Sequence, residues 1–125
     1  MSNEKFTDDH EWLRQQDDGT ILVGITDYAQ DQLGDIVYVE LPEAGANFIA
    51  NTDMAVVESV KAAGEVKIPV SGEIVEVNSR LVDEPELVNT DPMGEGWFIR
   101  MTAENADDLN ELMSESEYNE FIESL

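Results

Sequence analysis

The chain has 125 residues, 42% of them hydrophobic, so we expect residues 1–125 to form one domain with a packed core. Six Lys and Arg residues against 29 Asp and Glu residues give a net charge of −23. Nucleic-acid phosphates and anionic membrane surfaces repel such a charge, which excludes both as binding targets. Cys is absent and His occurs once, which excludes disulfides, a Cys nucleophile and a metal site built from several Cys or His ligands.

The N-terminus shows no targeting pattern. No stretch approaches the ~20 apolar residues of a membrane span. The opening residues, MSNEK, contain an acid and precede no apolar run, unlike a secretory or transit peptide. We therefore expect a protein of the bacterial cytoplasm, or of an organelle after removal of a presequence. We also expect a monomer, because a high net charge opposes self-association.

The first third of the chain predicts a hairpin followed by a short helix. Apolar runs on both sides of Asp17-Asp18-Gly19 predict a β-hairpin over residues 11–23. Thr26 or Asp27 can cap the helix, and Gly34 is suited to its end. Apolar residues four positions apart mark one face of this helix: Ile25, Ala29 and Leu33.

Further strands are predicted over residues 35–41, 54–60, 65–70, 73–77 and 96–101. In the first of these, alternation assigns Ile36, Tyr38 and Glu40 to one face and Val37, Val39 and Leu41 to the other. A polar segment over residues 83–92 is expected to form a loop or a short helix. Many short strands separated by turn residues indicate an all-β sandwich or barrel.

The C-terminal segment changes to a helical pattern. Apolar residues recur every three to four positions after Ala103: Leu109, Leu112, Met113, Tyr118, Phe121, Ile122 and Leu125. The same segment holds eight acids and no basic residue. It predicts short amphipathic helices that lie on the sandwich with an acidic outer face.

The sequence contains no pattern typical of a conventional enzyme. There is no G-x-x-x-x-G-K-[ST] loop, no G-x-G-x-x-G motif after a strand and no G-x-S-x-G elbow. His10 lies among acids, and its simplest interpretation is a polar residue near the start of a strand. The acids at Asp27, Asp31 and Asp35 do not match the spacing of a calcium-binding loop, so no metal site is predicted.

The lysines are informative because there are only three: Lys5, Lys61 and Lys67. Lys61 begins the run Lys61-Ala62-Ala63-Gly64, in which small residues and a glycine between two predicted strands indicate a turn. A long side chain at such a tip is open to a modifying enzyme, whereas Lys67 is predicted to lie in mid-strand and to face solvent. From spacing alone, a solvated turn lysine is the simpler interpretation of Lys61.

A set of motifs runs from end to end of the chain: His10-Glu11-Trp12, Gly24-Ile25-Thr26 with Ala29, Leu33-Gly34-Asp35-Ile36-Val37, Glu40-Leu41-Pro42 with Gly45, Glu58-Ser59-Val60-Lys61-Ala62, Pro69-Val70-Ser71-Gly72-Glu73 with Val77-Asn78, Pro85 with Val88-Asn89, and Gly96-Trp97. In this order and spacing the set resembles the glycine cleavage system H protein, a family of lipoyl-carrying shuttles. The E-S-V-K-A motif resembles the lipoylation site of that family. It differs from biotin sites of the A-M-K-M type.

The resemblance implies that Lys61 carries a covalently attached lipoate, flanked by Glu58, Ser59, Val60 and Ala62. The implied fold is mainly β, a barrel-sandwich hybrid (a lipoyl-domain-like β sandwich) with short peripheral helices, including C-terminal ones. The implied function is that of a carrier without turnover of its own. Because the chain has no Cys, any dithiol chemistry must come from a prosthetic group.

The resemblance also implies partners and a cleft for the lipoyl arm. The arm accepts the aminomethyl group of glycine at the pyridoxal-phosphate glycine decarboxylase (P protein) and presents it to the tetrahydrofolate-dependent aminomethyltransferase (T protein). Dihydrolipoyl dehydrogenase (L protein) reoxidises it, and a lipoate-attaching enzyme loads the lysine. Glu11 and His10 are the implied cleft residues. Plant relatives have an aspartate a few residues after the lipoyl lysine, where this chain has Glu65, a third candidate.

Two other functions remain open from the sequence. One is an H-like protein that mainly relays lipoate to other lipoyl proteins, which the residues around Lys61 do not distinguish from a shuttle. The other, from a different class, is an acidic adaptor module that is never modified. The mass of the intact protein from its own host separates the adaptor from the two lipoylated carriers.

Overall fold

The computed structural model of the protein describes residues 4–125, except for the side chain of Ala106. The strands are β1 (Glu4–Phe6), β2 (Glu11–Gln15), β3 (Ile21–Ile25), β4 (Ile36–Glu40), β5 (Asn47–Phe48), β6 (Asp53–Ser59), β7 (Ala63–Lys67), β8 (Gly72–Val77) and β9 (Ile99–Ala103). The α-helices are α1 (Asp27–Leu33), α2 (Arg80–Asp83), α3 (Leu87–Thr90) and α4 (Glu115–Glu123), and a 3₁₀ helix covers Ala106–Glu111.

The strands form two antiparallel sheets. The larger sheet has six strands in the order β1-β2-β3-β9-β8-β5, and the smaller has three in the order β4-β6-β7. The prediction of a mainly β sandwich with short helices is therefore confirmed. The hairpin predicted over residues 11–23 is also confirmed, because β2 and β3 pair antiparallel along their whole length.

Both faces of the larger sheet carry buried apolar clusters. The main core joins the two sheets and includes Leu13, Val23, Ile74 and Ile99 from the larger and Val39, Val57 and Val66 from the smaller. Successive residues of a strand point to opposite faces, so Trp12 lies on the other side of β2 from Leu13. There Trp12 packs with Phe6 and Tyr118 in a second buried cluster. The C-terminal helix α4 thus lies on the outer face of the sheet, as predicted.

The faces predicted for residues 35–41 are wrong. In β4 the buried residues are Ile36 and Val39, whereas Val37 and Tyr38 are 55% and 44% exposed. The pairing with β6 shifts register between Ile36 and Tyr38, so β4 contains a bulge. A bulge places two residues opposite one on the partner strand and breaks the alternation of faces, which a period-two pattern cannot anticipate.

The predicted ends of α1 are confirmed. The Thr26 side chain accepts a hydrogen bond from the Ala29 N–H at 3.2 Å, and Gly34 ends the helix with a φ of +86°. The polar segment 83–92 contains α3 and the end of α2. The first C-terminal helix is a 3₁₀ helix, and α4 begins with a capping box formed by Ser114 and Glu117. No helix within the described residues is long and apolar enough to cross a membrane.

Trp12 fixes the start of β2 and with it the His10-Glu11 segment. Its indole N–H donates a hydrogen bond to the Pro92 carbonyl at 2.9 Å, and its side chain is fully buried. A Cβ on Gly24 of the neighbouring strand would lie 2.8 Å from Trp12 Nε1, so only glycine leaves room for the ring. This packing anchors the residues that directly precede β2.

Candidate functional site

Lys61 lies in the tight turn that joins β6 to β7, and Ser59 organises this turn. The Ser59 N–H donates to the Ala62 carbonyl at 2.7 Å. The Ser59 hydroxyl accepts hydrogen bonds from the Ala62 N–H at 3.0 Å and the Lys61 N–H at 3.3 Å, and donates to the Ala62 carbonyl at 3.1 Å. The short serine side chain thereby satisfies backbone groups that no strand pairs, and Lys61 is exposed at the tip.

The turn is shorter than the sequence predicts. Ala63 and Gly64, assigned above to the turn, belong to β7 and pair with Glu58 and Val57. The strand also ends earlier than predicted, at Lys67, since Pro69 has no N–H to extend the ladder. Lys67 is therefore exposed at the end of a strand and not in its middle, so the two lysines lie at opposite ends of β7.

A cleft of about 380 Å³ opens between α1 and β7, next to this turn. Helix α1 contributes Tyr28, Ala29, Gln32 and Leu33, β7 contributes Gly64, Glu65 and Val66, and the segment that enters β2 contributes Asp9, His10 and Glu11. All three acidic or imidazole side chains predicted for the cleft, at positions 10, 11 and 65, therefore line one cavity. The α1 residues were not predicted for it, although the four-residue spacing of Ala29 and Leu33 marks the face that lines it.

Glu11 is the buried acid of the cleft, with 3% of its surface exposed. The Thr7 hydroxyl donates to Glu11 Oε1 at 2.9 Å, and the Lys67 N–H donates to Oε2 at 3.4 Å. The carboxylate thus connects the larger sheet to the last residue of β7 in the smaller one. Burial raises the pKa of Glu11 to about 7, against the opposing effect of the hydrogen bond from Thr7.

The stability of the fold should depend on pH through Glu11. Because its folded pKa of about 7 exceeds the ordinary value of 4.5, the folded state holds this proton more tightly than the unfolded chain. Its contribution is fully present below pH 4.5 and is lost as the pH rises through 7, a change of roughly 3 kcal/mol. We expect Glu11→Gln to gain stability over the wild type between about pH 5 and pH 8 in urea unfolding. If the difference in the free energy of unfolding between Glu11→Gln and the wild type stays constant over this pH range, the raised pKa of Glu11 is contradicted.

His10 is held in place by the C-terminal helix. Its backbone has a φ of +68°, and its Nδ1 lies 2.8 Å from the Tyr118 hydroxyl, which lies 2.7 Å from the Thr26 hydroxyl. The Tyr28 ring packs against the imidazole with 4.6 Å between centroids. Burial lowers the pKa of His10, although Asp9 and Asp8 oppose this effect. The imidazole is therefore neutral near pH 7 and acts as part of the cleft wall.

The cleft is suited to a cationic guest. Glu65 and Asp9 are exposed at its rim and Glu11 is buried within it, and no Lys or Arg is among the residues of 4–125 that line it. Aromatic and aliphatic side chains, among them Tyr28 and Leu33, form much of the remaining wall. A chain with an apolar stem and a positively charged end would fit this combination. Within residues 4–125, no group of three or more acids and histidines is placed to hold a metal ion.

Comparisons with known proteins agree with this architecture. The family model described as "Glycine cleavage H-protein" matches residues 4–125. The glycine cleavage system H protein of Psychrobacter sp. (strain PRwf-1) is 56% identical over 114 residues, 91% of this chain and 90% of that protein. The one from Parvibaculum lavamentivorans is 55% identical over 126 residues, 100% of this chain and 99% of that protein.

The fold agrees as well. The crystal structure of a glycine cleavage system H protein from Mycobacterium marinum superposes with a TM-score of 0.88 at 38% sequence identity, covering 98% of both chains. The resemblance predicted from the motifs is therefore confirmed, together with the lipoyl-domain-like β sandwich that it implies. The chain belongs to the glycine cleavage H-protein family.

Proposed function

We propose that this chain is the lipoyl-carrying shuttle of the glycine cleavage system, that residues 1–125 form a single lipoyl-carrier domain, and that Lys61 is the attachment site. The observation that carries this proposal is the position of Lys61, exposed at the tip of a serine-braced turn beside an acid-lined cleft. The braced turn presents one amine to a lipoate-attaching enzyme. The neighbouring cleft receives the arm that results.

The residues present fit a covalently attached lipoate. The Lys61 side chain is exposed, the small residue Ala62 adjoins it, and the cleft of about 380 Å³ begins three residues further on, at Gly64. The lipoyl group, once attached, supplies the disulfide and dithiol chemistry by which the aminomethyl group of glycine is accepted and released. The apolar groups of the cleft wall would limit the access of water to the arm, and the buried Glu11 carboxylate would accept hydrogen bonds from a cationic amine.

In this proposal the protein has no catalytic residues and acts as a cytoplasmic, monomeric carrier for three enzymes. The glycine decarboxylase loads the arm, the aminomethyltransferase unloads it, and dihydrolipoyl dehydrogenase restores its disulfide. A rigid turn and an open cleft support this role. The arm must enter the active site of each partner enzyme and return to the cleft of this protein between visits.

The test is reconstitution with purified partner enzymes. Protein isolated from its own host is expected to carry one lipoyl group by intact mass, and that form alone is expected to support tetrahydrofolate-dependent glycine cleavage. The unmodified recombinant chain is the matched control. An unmodified native protein would identify an adaptor. A lipoylated protein that transfers lipoate to other carriers but does not support glycine cleavage would identify a relay donor.

Association with the partner enzymes should be electrostatically steered. The net charge of −23, with eight acids after Ala103, creates a field that accelerates encounter with basic surfaces. Because exposed charges are screened beyond a Debye length of ~8 Å at physiological salt, the association rate should fall at least about tenfold from low to high KCl. Stopped-flow fluorescence measures this rate, with sucrose at equal osmolality as the control. An association rate that does not change with KCl concentration would contradict electrostatic steering.

A further inference from the structure

The side chain of Lys61 does not extend freely from its turn but runs along Gly34, the residue that ends α1. A Cβ placed on Gly34 would lie 3.2 Å from Lys61 Cε, 3.6 Å from Cδ and 3.8 Å from Cγ. Three consecutive carbons of the lysine stem therefore follow the bare backbone of one glycine. The turn itself is joined to the same segment, because the Val60 N–H donates to the Asp35 carbonyl at 3.0 Å.

Asn89 holds this glycine segment in place. Its Nδ2 donates to the Gly34 carbonyl at 2.9 Å and to Gln30 Oε1 at 2.8 Å. Its Oδ1 accepts a hydrogen bond from the Ile36 N–H at 2.8 Å. One amide group thus fixes the backbone on both sides of Asp35, to which the turn is bound. The contact between Lys61 and Gly34 consequently lies on a rigid support.

The glycine segment adjoins the cleft. Leu33, which directly precedes Gly34, lines the cleft and lies against Gly64 of β7, where a Cβ would come within 3.7 Å of its methyl group. A lysine stem that follows Gly34 therefore lies next to a residue whose chain neighbour, Leu33, lines the cleft, so an arm continued from that stem starts close to the cleft. A stem that left the turn in another direction would start away from it.

We propose that Gly34 is a positioning residue: it forms a side-chain-free track, held by Asn89, that directs the Lys61 stem and hence the lipoyl arm into the cleft. This inference rests on the proposed function for the role of the arm. The track itself is a property of the unmodified chain and can be tested without it.

The first test uses unmodified protein and NMR. Nuclear Overhauser effects are expected between the Lys61 side-chain methylene protons and the Gly34 Hα protons in the wild type. Gly45→Ala is the matched control, because Gly45 has a similar φ of +93° but no atom within 4 Å of an added Cβ. Gly34→Ala should weaken the contacts between the Lys61 stem and the backbone of residue 34, and Gly45→Ala should retain the Lys61–Gly34 contacts. Absence of the Lys61–Gly34 contact in the wild type would contradict the positioning role of Gly34, whether or not the protein carries lipoate.

The second test uses the lipoylated protein with its arm loaded. Without partner enzymes, the loaded arm of Gly34→Ala should decay several-fold faster than that of Gly45→Ala, in which the substituted residue also has a positive φ. Asn89→Asp retains the acceptor for Ile36 but replaces the donor to Gly34 with a repelling oxygen, and should also accelerate decay. This variant carries the test if Gly34→Ala does not fold. Equal decay in the variants and the control would show that Gly34 does not direct the arm.

Discussion

Lys61→Arg is expected to remove all lipoyl label and all glycine-cleavage activity in the reconstituted system. Attachment requires a neutral amine as the nucleophile, and a guanidinium with a pKa above ~12 stays protonated. Because the substitution keeps a long cationic side chain at an exposed turn, the fold and its stability should be unchanged. Incubation with a lipoate-attaching enzyme followed by peptide mapping measures the label.

Lys67→Arg is the matched control for this experiment. Lys67 is exposed like Lys61, but it is the last residue of β7, the strand that follows the Lys61 turn, and lies outside the serine-braced turn. The Lys67→Arg variant should retain full lipoyl labelling and full activity. Label on Lys67 in the wild type, or persistent label after Lys61→Arg, would place the attachment site elsewhere.

Glu11→Gln should accelerate the uncatalysed decay of the loaded arm. In the proposed function, an aminomethyl group on the lipoyl sulfur would carry an amine that is cationic near neutral pH, and attack of water on its carbon would release formaldehyde and ammonium and regenerate the thiol. A buried carboxylate stabilises such a cation where water is excluded. Hydrogen bonds to charged groups contribute roughly 1.5–3 kcal/mol, so decay should be about tenfold to a hundredfold faster.

Two further variants separate this effect from a general loss of charge. Glu65→Gln removes an exposed acid from the rim of the cleft, where solvent screens the charge, and should have a smaller effect. Glu73→Gln removes an exposed acid on β8 and should have none. The fold and lipoylation of Glu11→Gln should persist, because glutamine can accept from the Lys67 N–H and donate to the Thr7 hydroxyl. Equal decay in wild type and Glu11→Gln would exclude Glu11 from the mechanism.

Predictions were accurate where the signal lies within a few residues. The hairpin around Asp17-Asp18-Gly19, the caps of α1 and the turn at Lys61 all follow from conformational preferences of individual residues, which act locally. The faces of β4 were wrong because the bulge between Ile36 and Tyr38 arises from pairing with β6, some twenty residues away. The start of β7 was misplaced for a related reason, since the hydroxyl of Ser59 closes the turn two residues earlier than the glycine suggests.

Local sequence patterns, together with the motifs shared with the family, were sufficient for the class of fold, the location of Lys61 on a turn and the candidates Glu11, His10 and Glu65. They carried no information on the contact of His10 with Tyr118, 108 positions apart, or on the path of Lys61 along Gly34. Local patterns also did not predict that Glu11 is buried between the two sheets, or that this burial raises its pKa. Such properties depend on how the two sheets stack and on where the C-terminal helix packs. Both are determined by packing among segments that are distant in the sequence.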